Sequence, residues 1–245
     1  MAEPSVMQGG IIAAGEGSRL RQAGWTVPKP LVEVAGMPLI GRVIRNFRAA
    51  GITSLVLIFN ENERDCERWV RSHHPDLDLR IIVKTTASSL ESFREVCALL
   101  GSGPALISTV DAWCPEDEFV AFVQAVRQRP ADATVLAVTP LVADERPLWV
   151  AMGPDGRITD IGGDSGEMVT AGIYVVPERV RRLSSVSGLG RLREFLTRLV
   201  AQGEPVYGVV IPNVVDVDRA EDVALAEAMA RQEAHEPGKP LGAVT

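Results

Sequence analysis

The chain has 245 residues, 46% apolar and 23% charged, and a net charge of −7. That mixture suits a globular protein with a buried core, and no apolar run reaches the roughly eighteen residues of a membrane span. The acidic balance argues against a nucleic-acid groove, yet it leaves room for a nucleotide, whose phosphates respond to a few local cations and amides.

Met1–Gln8 has no basic patch followed by an apolar stretch, so it does not read as a secretory signal. Short runs rich in Val, Ile and Leu then follow at Met7–Ala13, Ser54–Phe59, Arg80–Lys84, Ala105–Thr109 and Ala133–Thr139, and they read as buried strands. Amphipathic stretches lie between them. Pro38–Ala50 places Leu39, Val43 and Phe47 on one stripe, with Pro38 suited to a first turn and Gly51 to the position after the last. Ser89–Leu100 and Pro115–Gln128 are the next two helices. Leu148–Met152 and Arg157–Ile161, joined by Pro154-Asp155-Gly156, predict a hairpin. Met168–Val176 is a further strand, Gly190–Gln202 a helix, Val206–Ile211 a strand and Ala220–Arg231 a final helix. The expectation is a single α/β domain over 7–231: a mostly parallel mixed sheet flanked by helices, with a small antiparallel insertion after the fifth strand. Residues 232–245 read as a flexible tail. Cys66, Cys97 and Cys114 are widely spaced and fit reduced thiols of a cytoplasmic protein better than disulfides or a zinc site.

The first strand runs into Gly9-Gly10-Ile11-Ile12-Ala13-Ala14-Gly15-Glu16-Gly17-Ser18-Arg19-Leu20, and Pro28-Lys29-Pro30-Leu31 follows. Small residues at Ala13, Ala14, Gly15 and Gly17 let backbone amides approach a phosphate. No Lys follows Gly17, so this is not a Walker A loop, and Leu20 stands where a dinucleotide fingerprint has its third glycine. Pro28 and Pro30 bar a long helix. The spacing describes a long loop that carries two cations, Arg19 and Lys29, back over the strand end.

This opening resembles that of the sugar-phosphate nucleotidyltransferases, the nucleotide-sugar pyrophosphorylase-like proteins with a Rossmann-type fold akin to the GT-A glycosyltransferases. Their signature is an apolar strand, Ala-Ala-Gly-x-Gly-x-Arg-Leu and Pro-Lys-Pro-Leu, and Ala13, Ala14, Gly15, Gly17, Arg19 and Lys29 match it. Val34-Ala35-Gly36-Met37-Pro38-Leu39-Ile40 is similar to the family's next strand and helix, and the resemblance extends from about Gly9 to about Glu227. It implies that the loop, with Ser18 inside it, holds a nucleoside triphosphate. It also implies that Arg19 neutralises the departing phosphates, and that Lys29 sits near the α-phosphate and the acceptor phosphate.

A metal needs carboxylates as well. Asp111 ends the strand Ala105–Val110 at the carboxyl edge, where open α/β sheets place ligands, and the next helix has cap candidates of its own near Pro115. Asp111 also matches the family's magnesium-binding aspartate. Late in the chain, Asp216-Val217-Asp218-Arg219-Ala220-Glu221-Asp222 is similar to the family's closing acidic segment. Asp216 matches its second metal ligand. Asp218 is the alternative, although Asp218 and Glu221 also have the spacing of a capping box. An all-oxygen set beside a triphosphate suits Mg²⁺.

Ser88 and Ser89, after Lys84-Thr85-Thr86-Ala87, resemble the segment that contacts the base, and either could instead cap the helix that follows. Thr170 and Gly172, in Thr170-Ala171-Gly172-Ile173-Tyr174, resemble the strand facing the acceptor. Trp113 and Trp149 could border that pocket or simply pack, and His73, His74 and His235 read as surface residues. The resemblance implies transfer of a nucleoside monophosphate to a phosphorylated small molecule, with a sugar 1-phosphate favoured over a phosphocholine-like acceptor. The rivals are a glycosyltransferase of related fold, which usually carries an Asp-x-Asp pair absent at Asp111-Ala112-Trp113, a non-catalytic relative, and a dinucleotide-dependent dehydrogenase.

Overall fold

The computed structural model describes residues 7–143, 146–184 and 188–235. Its frame is a nine-stranded sheet, and the strands of that sheet coincide closely with the apolar runs of the sequence. In chain order the first half contains β1 (Gln8–Ala13), α1 (Ser18–Gln22), a 3₁₀ turn (Lys29–Leu31), β2 (Glu33–Val34), β3 (Met37–Pro38), α2 (Leu39–Ala49), β4 (Ser54–Phe59), α3 (Arg64–His73), β5 (Asp78–Val83), α4 (Ser89–Leu99) and β6 (Ala105–Thr109). There follow β7 (Ala112–Trp113), α5 (Glu116–Val126), β8 (Thr134–Thr139), β9 (Trp149–Met152), β10 (Ile158–Ile161), β11 (Met168–Val176), α6 (Glu178–Leu183), α7 (Leu192–Ala201), β12 (Val206–Val210), β13 (Val215–Asp216) and α8 (Ala220–His235).

Strands β6, β1, β4 and β5 lie side by side and parallel. The inner strands β6, β1 and β4 are almost wholly buried because helices cover both faces, whereas β5 at the edge carries Asp78 and Arg80 and is only partly buried. Ile11, Phe47, Leu57 and Phe119 belong to one core, and Val56, Phe93, Ile107 and Phe195 to the other. Strand β8 pairs in parallel with β12. Strand β11 runs antiparallel to both β6 and β8, with a register shift against β8 between Thr170 and Tyr174. The carboxyl ends of β1, β4, β6 and β8 and the first half of β11 therefore share one edge of the sheet. Gly172 lies within the shift at φ +71°, and a Cβ there would come within 2.5 Å of the Thr109 hydroxyl. Such irregularities re-aim side chains next to sites.

Three departures from the sequence reading matter. The expected hairpin forms as β9 and β10, antiparallel to each other, but the long glycine-rich loop contains the short helix α1. Helices α3 and α6 fall in stretches where the sequence reading assigned none. The final helix runs on through His235, so residues 232–235 are helical rather than part of a loose tail, because Glu233 is fastened to α2. It accepts two bonds from Arg42, both 2.8 Å, and one from the Glu116 amide at 3.1 Å. The remaining residues of that expected tail lie outside the described ones.

Gly9 shows how closely helix and sheet meet under the site. A Cβ there would fall 2.4 Å from a Leu55 methyl and 2.5 Å from the Phe47 ring. Gly9→Ala is expected to cost about 1–3 kcal/mol by overpacking, read as a lower midpoint in urea unfolding. An unchanged midpoint would mean that this part of the core yields freely.

Candidate active site

The site is built around Lys29. Pro28 and Pro30 fix the backbone on either side of it, and the 3₁₀ turn closes through Leu31 N–H to the Pro28 carbonyl at 2.8 Å. The turn lies against Gly17, whose φ is +59° and where a Cβ would stand 2.7 Å from the Lys29 Cβ. Any side chain at position 17 would thus both strain the backbone and push Lys29 away, which is the physical reason for a glycine at that spacing. Lys29 itself is only 7% exposed.

Its ammonium group is surrounded by carboxylates from two distant parts of the chain. Lys29 Nζ donates to Asp111 Oδ2 at 2.5 Å and to Asp218 Oδ1. Arg19 donates to the other oxygen of Asp218 at 3.0 Å. Asp111, Asp216 and Asp218 each present an oxygen within 4.8 Å of the others. What brings them together is a two-stranded element that the sequence reading missed. Strand β13 pairs with β7, Asp216 opposite Ala112, and the Val217 amide donates to the Asp111 carbonyl at 3.0 Å. Asp218 does not form the capping box with Glu221 that its spacing also allowed. Asp222 instead accepts from the Asp218 and Arg219 amides, at 3.1 and 2.8 Å, and the Asp218 carboxylate turns to the cations.

Burial alone would push the Lys29 pKa down, but Asp111, Asp216 and Asp218 more than reverse this and raise it above the ordinary lysine value. Burial alone would likewise push Asp111 up. The charge of Lys29 and hydrogen bonds from Lys29 and Thr109 outweigh it, so Asp111 lies below the usual carboxylate range. Both groups are therefore charged at neutral pH. Three carboxylates facing one buried lysine and one half-exposed arginine form an oxygen-only cluster, whose donor chemistry fits a hard divalent cation such as Mg²⁺.

Two cavities border this cluster. One, of about 250 Å³, is lined by Asp111 and Asp216 together with Ser89, Thr109, Thr139, Thr170, Gly172, Tyr174 and Arg193 and by an apolar wall that includes Leu141 and Leu148. The other, of about 410 Å³, is lined by Glu16, Arg21, Thr26–Lys29, Asn60, Asn62 and Glu63. Of the residues singled out in the sequence, Arg19, Lys29, Asp111, Asp216 and Asp218 meet at the cluster. Ala13, Ala14 and Gly15 occupy the strand end and loop beside it, where a Cβ on Gly15 would meet nothing within 4 Å. Ser18 begins α1. Thr170 and Gly172 border the first cavity.

Ser88 caps α4, accepting from the Glu91 amide at 3.2 Å, while the Ser89 hydroxyl lines the cavity and accepts from the Leu192 amide at 3.1 Å. Trp113 is buried beneath Arg42, 4.9 Å from ring centre to guanidinium, and Trp149 opens β9 and lies against Gly166; neither is among the residues lining these two cavities. His73 is on the surface, stacked on Trp69, whereas both ring nitrogens of His74 are buried without a partner. Sequence reasoning missed Asn60, Glu63 and Arg193. Asn60 ties three strand ends together, its Oδ1 accepting from the Asn62 amide and the Thr85 hydroxyl and its Nδ2 donating to the Ala14 carbonyl. A polar residue directly after an apolar strand was the available signal for it.

With this geometry in view, residues 9–205 match the MobA-like NTP transferase domain. The chain belongs to that family. Among curated relatives, CMP-5′-(3-aminopropyl)phosphonate synthase of Streptomyces rubellomurinus is 27% identical over 81% of this chain and 32% of its own length. A mannose-1-phosphate guanyltransferase of Gibberella zeae is 33% identical over 47% of this chain and 34% of its own. The chain thus spans about a third of the length of these relatives. The inositol-1-phosphate CTP transferase of T. maritima superposes with a TM-score of 0.79 at 19% identity, covering 96% of this chain and 99% of that one. At that identity the likeness is one of fold. It agrees with the mixed sheet and flanking helices described above. No helix among the described residues is long and apolar enough to cross a membrane.

Glu63 gives the second cavity a measurable signature. It is 8% exposed, and its Oε2 is buried without a hydrogen-bond partner. Burial, opposed by Arg21 and reinforced by Glu16, raises its pKa from 4.5 to about 7. A carboxyl raised in the folded state destabilises the fold where it is ionised, and the penalty fades as pH falls from 7 toward 4.5. Glu63→Gln is therefore expected to stabilise the chain at pH 8 by ~1–3 kcal/mol and to have almost no effect at pH 4. Urea unfolding at the two pH values checks this, and an equal gain at both would assign it to packing.

Proposed function

We propose that this chain transfers a nucleoside monophosphate from a nucleoside triphosphate to a phosphorylated small molecule and releases pyrophosphate. The observation that carries the reading is the gathering of Lys29, Arg19, Asp111, Asp216 and Asp218 beside the Gly15–Gly17 loop and at the mouth of a cavity. The loop amides would receive the triphosphate. Arg19, half-exposed at the rim, neutralises charge on the departing phosphates. Lys29, held charged by three carboxylates, stands where charge develops between donor and acceptor.

Asp111 and Asp216, with Asp218 beside them, would hold a magnesium ion, which when bound supplies charge neutralisation to the phosphate oxygens. The acceptor phosphate is already ionised at neutral pH and needs no general base, which accords with two cavities whose described lining residues include neither histidine nor cysteine. The chain's own contribution is then orientation and preset electrostatics. A sugar 1-phosphate is the acceptor favoured by the family resemblance. A phosphonate is the second reading, supported by the relative that covers 81% of this chain. A cytoplasmic setting accords with three unpaired cysteines.

Screening the common nucleoside triphosphates against phosphorylated acceptors, with pyrophosphate as the readout, tests the proposal. Release of a free nucleoside diphosphate instead would point to a glycosyltransferase, and no turnover with any pair to a non-catalytic relative. Asp111→Asn and Lys29→Ala are each expected to lower kcat by about a hundredfold or more while leaving the circular dichroism spectrum intact. Near-normal turnover in either variant would remove that residue from the site.

A further inference from the structure

The larger cavity, of about 410 Å³, contains a buried group that the transfer reaction does not use. Glu63 stands at the cap position before α3. Its backbone is engaged, the amide donating to the Asn60 carbonyl at 2.9 Å and the carbonyl accepting from the Cys66 amide at 3.0 Å. The carboxyl is different. Glu63 is 8% exposed and lines the cavity, and its Oε2 is buried without a hydrogen-bond partner. A buried acceptor left unsatisfied is costly, and at a cavity wall a ligand that carries donors removes that cost.

The surroundings suit a nucleobase. Lys29 lines this cavity and also belongs to the carboxylate cluster, so a nucleotide with its phosphates on the Gly15–Gly17 loop and Lys29 can extend its base here. Val27, 42% exposed, and Pro28 offer apolar surface to a ring. Arg21, which donates to the Glu16 carbonyl, brings a guanidinium to the same space. The Asn60 amide is already engaged at both ends, with Ala14, Asn62 and Thr85.

Bases differ in the edge they present to such a carboxyl. Guanine sets two donors side by side, N1–H and the exocyclic amine, next to its O6 acceptor. Adenine and cytosine flank their one amine with a ring nitrogen lone pair, and uracil flanks its one N–H with two carbonyls. Those lone pairs would face the second carboxylate oxygen, whereas guanine gives each oxygen a donor. A guanidinium in turn matches O6. Burial brings the titration of Glu63 close to neutral pH, and two N–H donors favour its ionised form.

We infer that this cavity takes guanine, and that Glu63 selects it by accepting from N1–H and the exocyclic amine. The inference rests on the nucleotidyl-transfer reading and deepens it, naming the donor as guanosine triphosphate. Glu63 sets specificity and stands apart from the reacting phosphates.

The test uses the full chain and Glu63→Gln at pH 8 with magnesium. Dissociation constants are measured by calorimetry for GTP, ATP, CTP, UTP and inosine triphosphate, which keeps N1–H and O6 but lacks the exocyclic amine. The wild type is expected to bind GTP about 10- to 100-fold more tightly than ATP, CTP or UTP, and about tenfold more tightly than inosine triphosphate. In Glu63→Gln the side-chain amide sets a donor against a donor. GTP affinity then falls about 10- to 100-fold, the gap to inosine triphosphate closes, and UTP affinity stays within about twofold. Preference for another base in the wild type would overturn the assignment, as would equal affinity for GTP and inosine triphosphate, or a GTP preference that survives in the variant. Pyrophosphate release is read separately. Selective GTP binding without turnover on any acceptor would sink the transfer reading and keep the base assignment; turnover of CTP or UTP in preference to GTP would do the reverse. Failure to bind any triphosphate would overturn both.

Discussion

Everything at the candidate site depends on one buried lysine and the carboxylates around it. An ammonium group 7% exposed would lose its charge if left alone, and three aspartates crowded to within 4.8 Å would repel one another without a cation. Each arrangement is tolerable only because of the other. The chain spends much of its local architecture on that meeting: two prolines to set the turn, a glycine to make room for it, and a pair of two-residue strands to bring in Asp216 and Asp218.

The two cavities meet the cluster through different members of it, Asp111 and Asp216 lining one and Lys29 the other. The first is bounded by the irregular first half of β11, the second by the returning loop and the end of β4.

Much of this could be read from residues alone, and the limits have physical causes. Strands β1, β4, β6, β8 and β11 were legible because both of their faces are buried, which leaves uninterrupted apolar runs. Arg19, Lys29 and Asp111 were legible because glycine and proline spacing and position at a strand end are local facts. The pairing of β7 with β13 was not, since two residues carry no periodicity and the contact spans about half the chain. The sequence favoured Asp216 over Asp218 because Asp218 had a capping alternative and Asp216 matched the family's second ligand; in the structure both carboxylates join the cluster, and Asp222 accepts the amides at the start of α8. Arg193 sits on a helix and Glu63 just before one, both among other charged residues, where nothing in composition separates a cavity-lining side chain from a solvated one.

The last turn of α8 has a bearing on how the protein is handled. Glu233 neutralises Arg42, a residue 6% exposed whose Nε holds the Cys114 carbonyl immediately after β7. An expression boundary drawn at Arg231, as helix-ending patterns in the sequence would invite, removes that counter-ion. It strands a guanidinium in the interior, next to the strand that pairs with β13 and so helps gather the aspartates. The final helix thus acts as a keystone for the carboxylate cluster of the candidate site.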